Sequence, residues 1–306
     1  MVNVYAETNL EACRCLWERM IPPDRLLDLW EVRACFHNNF KRDLFFVVAE
    51  EGGEPIGLIP LSWIPESNCY GYFPGEVWQG KTWLEQNRLI ARDKRTFDQM
   101  LRWMKKKKAS FNLRYLLPNP FLPSNLSGAD EPGYSFYSEF LSYNIDNYYS
   151  LFSRKSWKKI HKELDKFYAR DLQMRIDVFS DFDVMVEMNI RRFGSESYFI
   201  DSRFRESFKQ LACFLRDKGF LRITTVIVDG EVAAVDVGSI YNGVYTLLAG
   251  GTHVDYPGVA KVINLYHIKT ACEEKYKEAD FLCGDFLWKK NFHLSPRTLD
   301  LFSNVA

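Results

Sequence analysis

Apolar and polar positions along the chain follow two periods. Phe97, Met100, Leu101 and Met104 recur at helical spacing across 93–108, and Phe204, Phe208, Leu211, Ala212 and Leu215 do so across 201–218. The same spacing predicts helices over 9–19, 26–38 and 181–193. Pro22 and Pro23 end the first of these, and Asp24 is the expected cap of the next. Apolar runs of strand length fall at 44–50, 56–63, 70–73, 111–117, 134–145, 172–179, 221–228, 232–240, 244–249 and 279–283. Asp229-Gly230 between two such runs is a hairpin signal, as is the turn from Glu51 to Glu54.

The order of elements repeats. Each half reads as helices, a hairpin, a further strand, a helix and a closing strand, which predicts α/β architecture with mixed sheets built from two diverged copies of one unit. Residues 118–134 are rich in Pro, Asn, Ser and Gly and read as a loop. The boundary is set after residue 145, giving domains 1–145 and 146–306. The second opens on a basic helix over 146–170, with Arg154, Lys155, Lys158, Lys159, Lys162, Lys166 and Arg170 against Glu163 and Asp165. That face reads equally as a solvated surface or as a site for phosphate or RNA backbone.

The stretch 244–292 organises the rest. A strand over 244–249 meets a Gly-Gly break and a polar connection, Thr252 to Gly258. Val259, Val262, Ile263, Tyr266 and Ile268 then take helical spacing, and a strand over 279–283 ends at Gly284-Asp285. The first turn of that helix carries unpaired N–H groups and the positive end of the dipole, a setting for phosphate. Gly258 lets the backbone approach a pyrophosphate, and Pro257 gives up a donor the helix does not use. The same residues also fit an ordinary crossover helix with a Pro-Gly entry.

This stretch resembles the double-domain branch of the GNAT superfamily, the CelD-like acyltransferases and the related FemABX peptidyltransferases. The resemblance rests on Leu248 to Gly251 closing a strand, Tyr256-Pro257-Gly258 opening a helix, and the tail Asp280-Phe281-Leu282-Cys283-Gly284-Asp285-Phe286-Leu287-Trp288-Lys289-Lys290-Asn291-Phe292. Gly284, Asp285 and Lys289 match the family's tail, while Trp288 stands where it has tyrosine and Phe292 where it has tryptophan.

The resemblance implies two tandem GNAT-like (acyl-CoA N-acyltransferase) domains and transfer of an acyl group to an amine or hydroxyl. The donor is then acetyl-CoA or another acyl-CoA, with no metal. Its pyrophosphate falls to Gly258, Val259, Ala260 and Lys261, and its carbonyl to backbone around Leu248, Ala249 and Gly250. Asp285 is the first candidate base, with capping or pairing to Lys289 or Lys290 as its structural alternative. Asp236 is a second, set among apolar neighbours where an unpaired carboxylate is costly. His253 and Tyr256 stand beside the donor helix, and Trp288 and Lys289 are the substrate-contacting candidates. The acceptor is a small molecule, a saccharide or a peptide; family members often serve envelope or exopolysaccharide biosynthesis. Two alternatives stand beside this reading: a FemABX-like enzyme using aminoacyl-tRNA, held by the basic helix Arg154 to Arg170, and a catalytically silent GNAT-fold binding module.

Composition changes little in this picture. Net charge is +0 and pI about 7.0, so no global field draws the protein to nucleic acid or membrane. The 7 cysteines lack metal spacing and read as reduced core thiols, and the histidines 37, 161, 253, 267 and 293 read as isolated polar or core residues. With Glu7 and Glu11 early in the chain and no membrane-length apolar run, the expectation is a cytoplasmic protein without a membrane span.

Overall fold

The computed structural model describes residues 1–305. Two compact units divide the chain: one holds Met1–Pro132, Asp201–Leu211 and the stretch from Thr298 on, the other Gly133–Ile200 and Ala212–Arg297.

In unit 1, strands β1 (Val2–Glu7), β2 (Leu44–Glu51), β3 (Glu54–Ile64) and β4 (Cys69–Tyr72) form an antiparallel sheet in that order, and β5 (Ile90–Ala91) pairs with β3. Helix α1 (Leu10–Met20) is capped by Asn9, whose side chain accepts from Ala12 N–H. The second helix departs from expectation. A 3₁₀ turn over Leu26–Asp28 comes first, and α2 runs Trp30–Phe40 with Leu29 at its N-cap. Asp24 is therefore not the cap of this helix; Asp28, at the end of the turn, is buried, accepts from Arg25 N–H at 2.9 Å and pairs with Arg88 at 2.8 Å. Helix α3 (Lys94–Lys106) is capped by Asp93. Strands β6 (Asn112–Leu116) and β7 (Ser127–Ala129) flank the strand Asp300–Ser303, which lies between them. Trp17, Phe46, Val47, Val48, Leu58, Ile59, Phe97 and Met100 fill the core.

Unit 2 is built on one sheet. Strand β8 (Gly133–Phe136) ends early; a 3₁₀ turn and then α4 (Ile145–Tyr149), capped by Asn144, replace the strand expected to reach 145. The expected helix over 146–170 is likewise broken, and Ser153 caps a separate α5 (Arg154–Tyr168). Local side-chain caps, which compete with a continuing strand or helix, account for both corrections. Then follow β9 (Leu172–Ile176), α6 (Asp181–Phe193) and α7 (Ser202–Asp217), whose residues are shared between the units. After them come β10 (Leu221–Val228), β11 (Glu231–Tyr241), β12 (Val244–Thr252), α8 (Val259–Glu273), β13 (Glu278–Cys283), α9 (Leu287–Asn291) and β14 (Ser295–Arg297). The strand order is β14-β8-β13-β12-β11-β10-β9, with β12 and β13 the parallel pair.

Gly250 and Gly251 are not the predicted break but part of β12. Their absent side chains serve close approach. A Cβ at Gly251 would lie 2.6 Å from the Met185 carbonyl oxygen of α6, and one at Gly250 would lie 2.0 Å from Asp236 Oδ1. Adjacent strand residues point to opposite faces, so α6 rests on one face of the sheet and the Asp236 side chain lies on the other.

Candidate active site

Strands β12 and β13 pair only over Val244–Thr246 and Glu278–Asp280. Beyond those rungs β12 stays with β11 as far as Thr252, while β13 pairs with β8. The parallel pair therefore opens as a fork. On its β12 arm, pairing with β11 skips Leu248: Val237 faces Ala249 and Gly238 faces Leu247. Such a bulge takes a residue out of the ladder and re-aims its backbone. Leu248 is buried, and Ala249 and Gly250 are half-buried.

Helix α8 opens on Tyr256-Pro257-Gly258. Gly258 has φ 98°, a left-handed conformation that disfavours side chains, and no side chain caps the helix. Val259 N–H donates to the Tyr256 carbonyl at 3.1 Å and Lys261 N–H to Gly258 at 2.9 Å. The N–H groups of Gly258 and Ala260 have no backbone partner among the described residues, which leaves them to face an anion. Tyr256 carries the Arg170 guanidinium 5.2 Å from its ring centroid, and the His253 ring lies 5.7 Å away. His253 Nδ1 accepts from Asp255 N–H at 3.3 Å.

A groove of about 570 Å³ reaches the first turn of α8. Lys159 and Glu163 of α5, Lys261 of α8, and Trp288, Lys290 and His293 in and after α9 line it. Lys261 and Glu163 form an ion pair, and Lys261 is the main reason the Glu163 carboxyl is held below its usual range. Trp288 stays half-buried with its ring against Phe281 and Phe292.

The tail of β13 is held by charge. Leu282 takes φ 55° and Gly284 φ 115°, where a Cβ would meet the Phe286 ring at 2.4 Å. Lys289 is buried, and its ammonium donates to the carbonyls of Phe281 (2.9 Å), Leu282 (2.9 Å) and Cys283 (2.7 Å). Its charge thus clamps the strand end. Asp285 pairs with Lys290 at 2.8 Å and accepts from the Tyr134 hydroxyl at 2.5 Å. Lys290 and then Tyr134 hold the Asp285 carboxyl below its usual range, while the bond to Asp285 raises the Tyr134 phenol. A carboxylate so held is a weak base. The phenol missing at Trp288 is supplied at this tail by Tyr134, from β8.

Asp236 lies across the ladder from Gly250. Its Oδ2 is 2.9 Å from His267 Nε2, and His267 Nδ1 is 3.0 Å from the Tyr245 hydroxyl. His267 is therefore not the isolated residue its sequence context suggests. Its partners lie on β11 and β12, out of reach of spacing arguments along α8; the glycines at 238 and 250, inside apolar strands, are the signal that could have found them. The structure thus gathers the candidates into three groups: Leu248, Ala249, Gly250 and Asp236 on the fork; His253, Tyr256, Gly258, Val259, Ala260 and Lys261 at the entry of α8; and Asp285, Trp288 and Lys289 at the tail of β13. Among the described residues no group of three or more His, Cys, Asp or Glu side chains is placed to hold a metal ion. No helix among them is long and apolar enough to cross a membrane.

Residues 154–290 match the family model described as Acetyltransferase (GNAT) domain. In fold the chain is similar to FemX, with TM-score 0.59 and 10% identity over 98% of this chain and 96% of that one. It is similar to L-PGS from Bacillus licheniformis, with TM-score 0.60 and 10% identity over 98% and 94%. A tandem GNAT protein from the clavulanic acid biosynthesis pathway aligns with TM-score 0.52 and 10% identity over 98% of both chains. A sequence search of curated proteins returned no match. The mixed sheets and the fork thus belong to a fold similar to those of the tandem GNAT protein and of FemX.

Proposed function

We propose that this protein transfers an acyl group from an acyl-CoA to an amine or hydroxyl of an acceptor. The observation that carries the reading is the fork between β12 and β13 followed directly by the uncapped N-terminus of α8. A thioester laid along the β12 arm meets the bulged backbone at Leu248, which would stabilise the oxyanion. The donor's phosphates meet the N–H groups of Gly258 and Ala260, and the groove with Lys159 and Lys261 accommodates the remaining anionic part. Asp236, on the strand next to the fork, is the base we favour; Asp285 is committed to Lys290 and Tyr134. A catalytically silent module would carry Asp285 locked in a salt bridge. Asp285 is in one, and the base role then passes to Asp236.

Calorimetry with coenzyme A and acetyl-CoA tests this. The expected result is saturable binding that Gly258→Glu weakens at least about tenfold, because the new side chain is strained at this φ and brings a negative charge to the anion site. No binding by the wild type would sink the donor assignment. A second reading has one observation in its favour: α5, which lines the groove, exposes Lys155, Lys158, Lys162 and Lys166. An aminoacyl-tRNA donor would use that face, and binding of bulk tRNA that falls steeply with salt, beside silence with coenzyme A, would select it.

A further inference from the structure

Gly238 and Gly250 have ordinary negative-φ backbone, so conformation does not demand glycine at either. Space does. A Cβ at Gly250 would lie 2.0 Å from Asp236 Oδ1, and one at Gly238 would lie 2.8 Å from the Tyr245 ring and from the Thr246 carbonyl oxygen. Residues 236 and 238 share a face of β11. Two glycines on neighbouring strands therefore clear room for two polar side chains on the face that receives His267 from α8.

Those side chains form a linear chain: Asp236 Oδ2 to His267 Nε2 at 2.9 Å, then His267 Nδ1 to the Tyr245 hydroxyl at 3.0 Å. Its Asp236 end is the open one: that side chain is 16% exposed, against 0% for His267 and 2% for Tyr245. Among the described residues no Lys or Arg pairs with Asp236; its partner is His267 Nε2. An ionised carboxylate accepts only, so the proton of a neutral imidazole sits on Nε2 and Nδ1 accepts from the Tyr245 hydroxyl. Burial raises the Tyr245 phenol, which keeps that hydroxyl a donor. The other titratable or charged groups at this end are Tyr266, whose ring lies 6.1 Å from His267, Tyr276, 5.8 Å from Tyr245, and Arg222 of β10, which is 3.6 Å from Asp177.

We infer that His267 and Tyr245 are positioning residues for Asp236: the carboxylate sets the imidazole tautomer, Tyr245 holds the ring from its other nitrogen, and the imidazole fixes the carboxylate with Oδ1 toward Gly250 on the fork. This rests on the acyl-CoA reading above. In the step served, the acceptor nitrogen or oxygen bonds to the thioester carbon, and the carbon–sulfur bond breaks with its electron pair leaving on sulfur. The acceptor's proton passes to Asp236 Oδ1, and from there to solvent or to the departing thiolate. His267 donates from Nε2 to the ionised carboxylate, which readies the base before substrate arrives.

The test uses the full chain with ¹⁵N-labelled histidine, and thiol release from acetyl-CoA as the rate. The expected NMR result is an Nε2–H tautomer at His267 that Tyr245→Phe retains while shifting the Nδ1 resonance, which loses its hydrogen bond. His267→Leu is expected to cut thiol release at least about tenfold and to move the low-pH limb of the rate profile upward, since a lost hydrogen bond to the ionised form raises a carboxyl. His267→Gln, which can donate to Asp236 and accept from Tyr245, is expected to restore most of the rate. An Nδ1–H tautomer in the wild type overturns the inference alone, as does a limb unmoved in His267→Leu. If His267→Leu fails to fold, His267→Gln at close to the wild-type rate supports the inference for His267 and a Gln variant without activity overturns it, while a Tyr245→Phe protein whose Nδ1 resonance and rate match wild type overturns it for Tyr245. A wild type that neither binds coenzyme A nor releases thiol overturns the donor reading and the catalytic part of this inference, while the tautomer still reports on the hydrogen-bonded chain.

Discussion

Lys289 shows how a single residue's role changes once its neighbours are known. As a match to a family tail it is a substrate contact; in the fold it is a buried ammonium on three carbonyls. Lys289→Met would orphan those acceptors at roughly 1–3 kcal/mol each. The expected outcome is a loss of at least about 3 kcal/mol in urea unfolding. A substrate-binding role would instead weaken ligand affinity and leave stability alone. Cysteines make a similar contrast. Burial pushes the Cys13 thiol up to about 12 and the Cys272 thiol up to about 11, while Cys15 is exposed. A thiol reagent near pH 8 is expected to label Cys15 readily and to leave Cys13 and Cys272 untouched until the chain unfolds. Asp285 adds a pH dependence. Its folded value is depressed, so its contribution to stability is present above the ordinary aspartate value and disappears as pH falls through the lowered one. Urea midpoints of wild type and Asp285→Asn should differ at pH 7 and draw together as pH falls below the ordinary aspartate value.

At the scale of elements, the parts legible in the sequence were those written locally. The spacing that marks the helices Leu10–Met20 and Lys94–Lys106 and the Asp229-Gly230 hairpin signal act within a few residues, and each element lies where its pattern put it. Beside the two elements cut short by local caps at Asn144 and Ser153, three readings differed because their decisive contacts are distant or irregular. Gly250-Gly251 looked like a turn, yet the reason for glycine there lies on α6 and β11. The start of α2 moved because Asp28 is drawn to Arg88, 60 residues on, while Leu29 offers no side-chain cap. His267 looked solitary because Asp236 and Tyr245 lie 31 and 22 residues away. The donor elements were visible as a pattern at 244–258, whereas the proton-handling chain is a product of three elements meeting. Gly250→Ala tests that meeting directly: its methyl would displace the Asp236 carboxylate, and the expected outcome is lost thiol release with coenzyme A affinity retained.

For the molecule as a whole, chain order and spatial order disagree. Arg33, buried in unit 1, donates to the carbonyls of Leu27, Phe73 and Glu85 and is completed by residues drawn from one continuous stretch. The three-stranded sheet of the same unit is different, because its middle strand is Asp300–Ser303. During synthesis on a ribosome, β6 and β7 emerge long before that strand, and nearly all of unit 2 is made in between. Unit 1 must therefore wait with two unpaired strand edges exposed, a state in which a nascent chain is open to capture by chaperones or by its own copies.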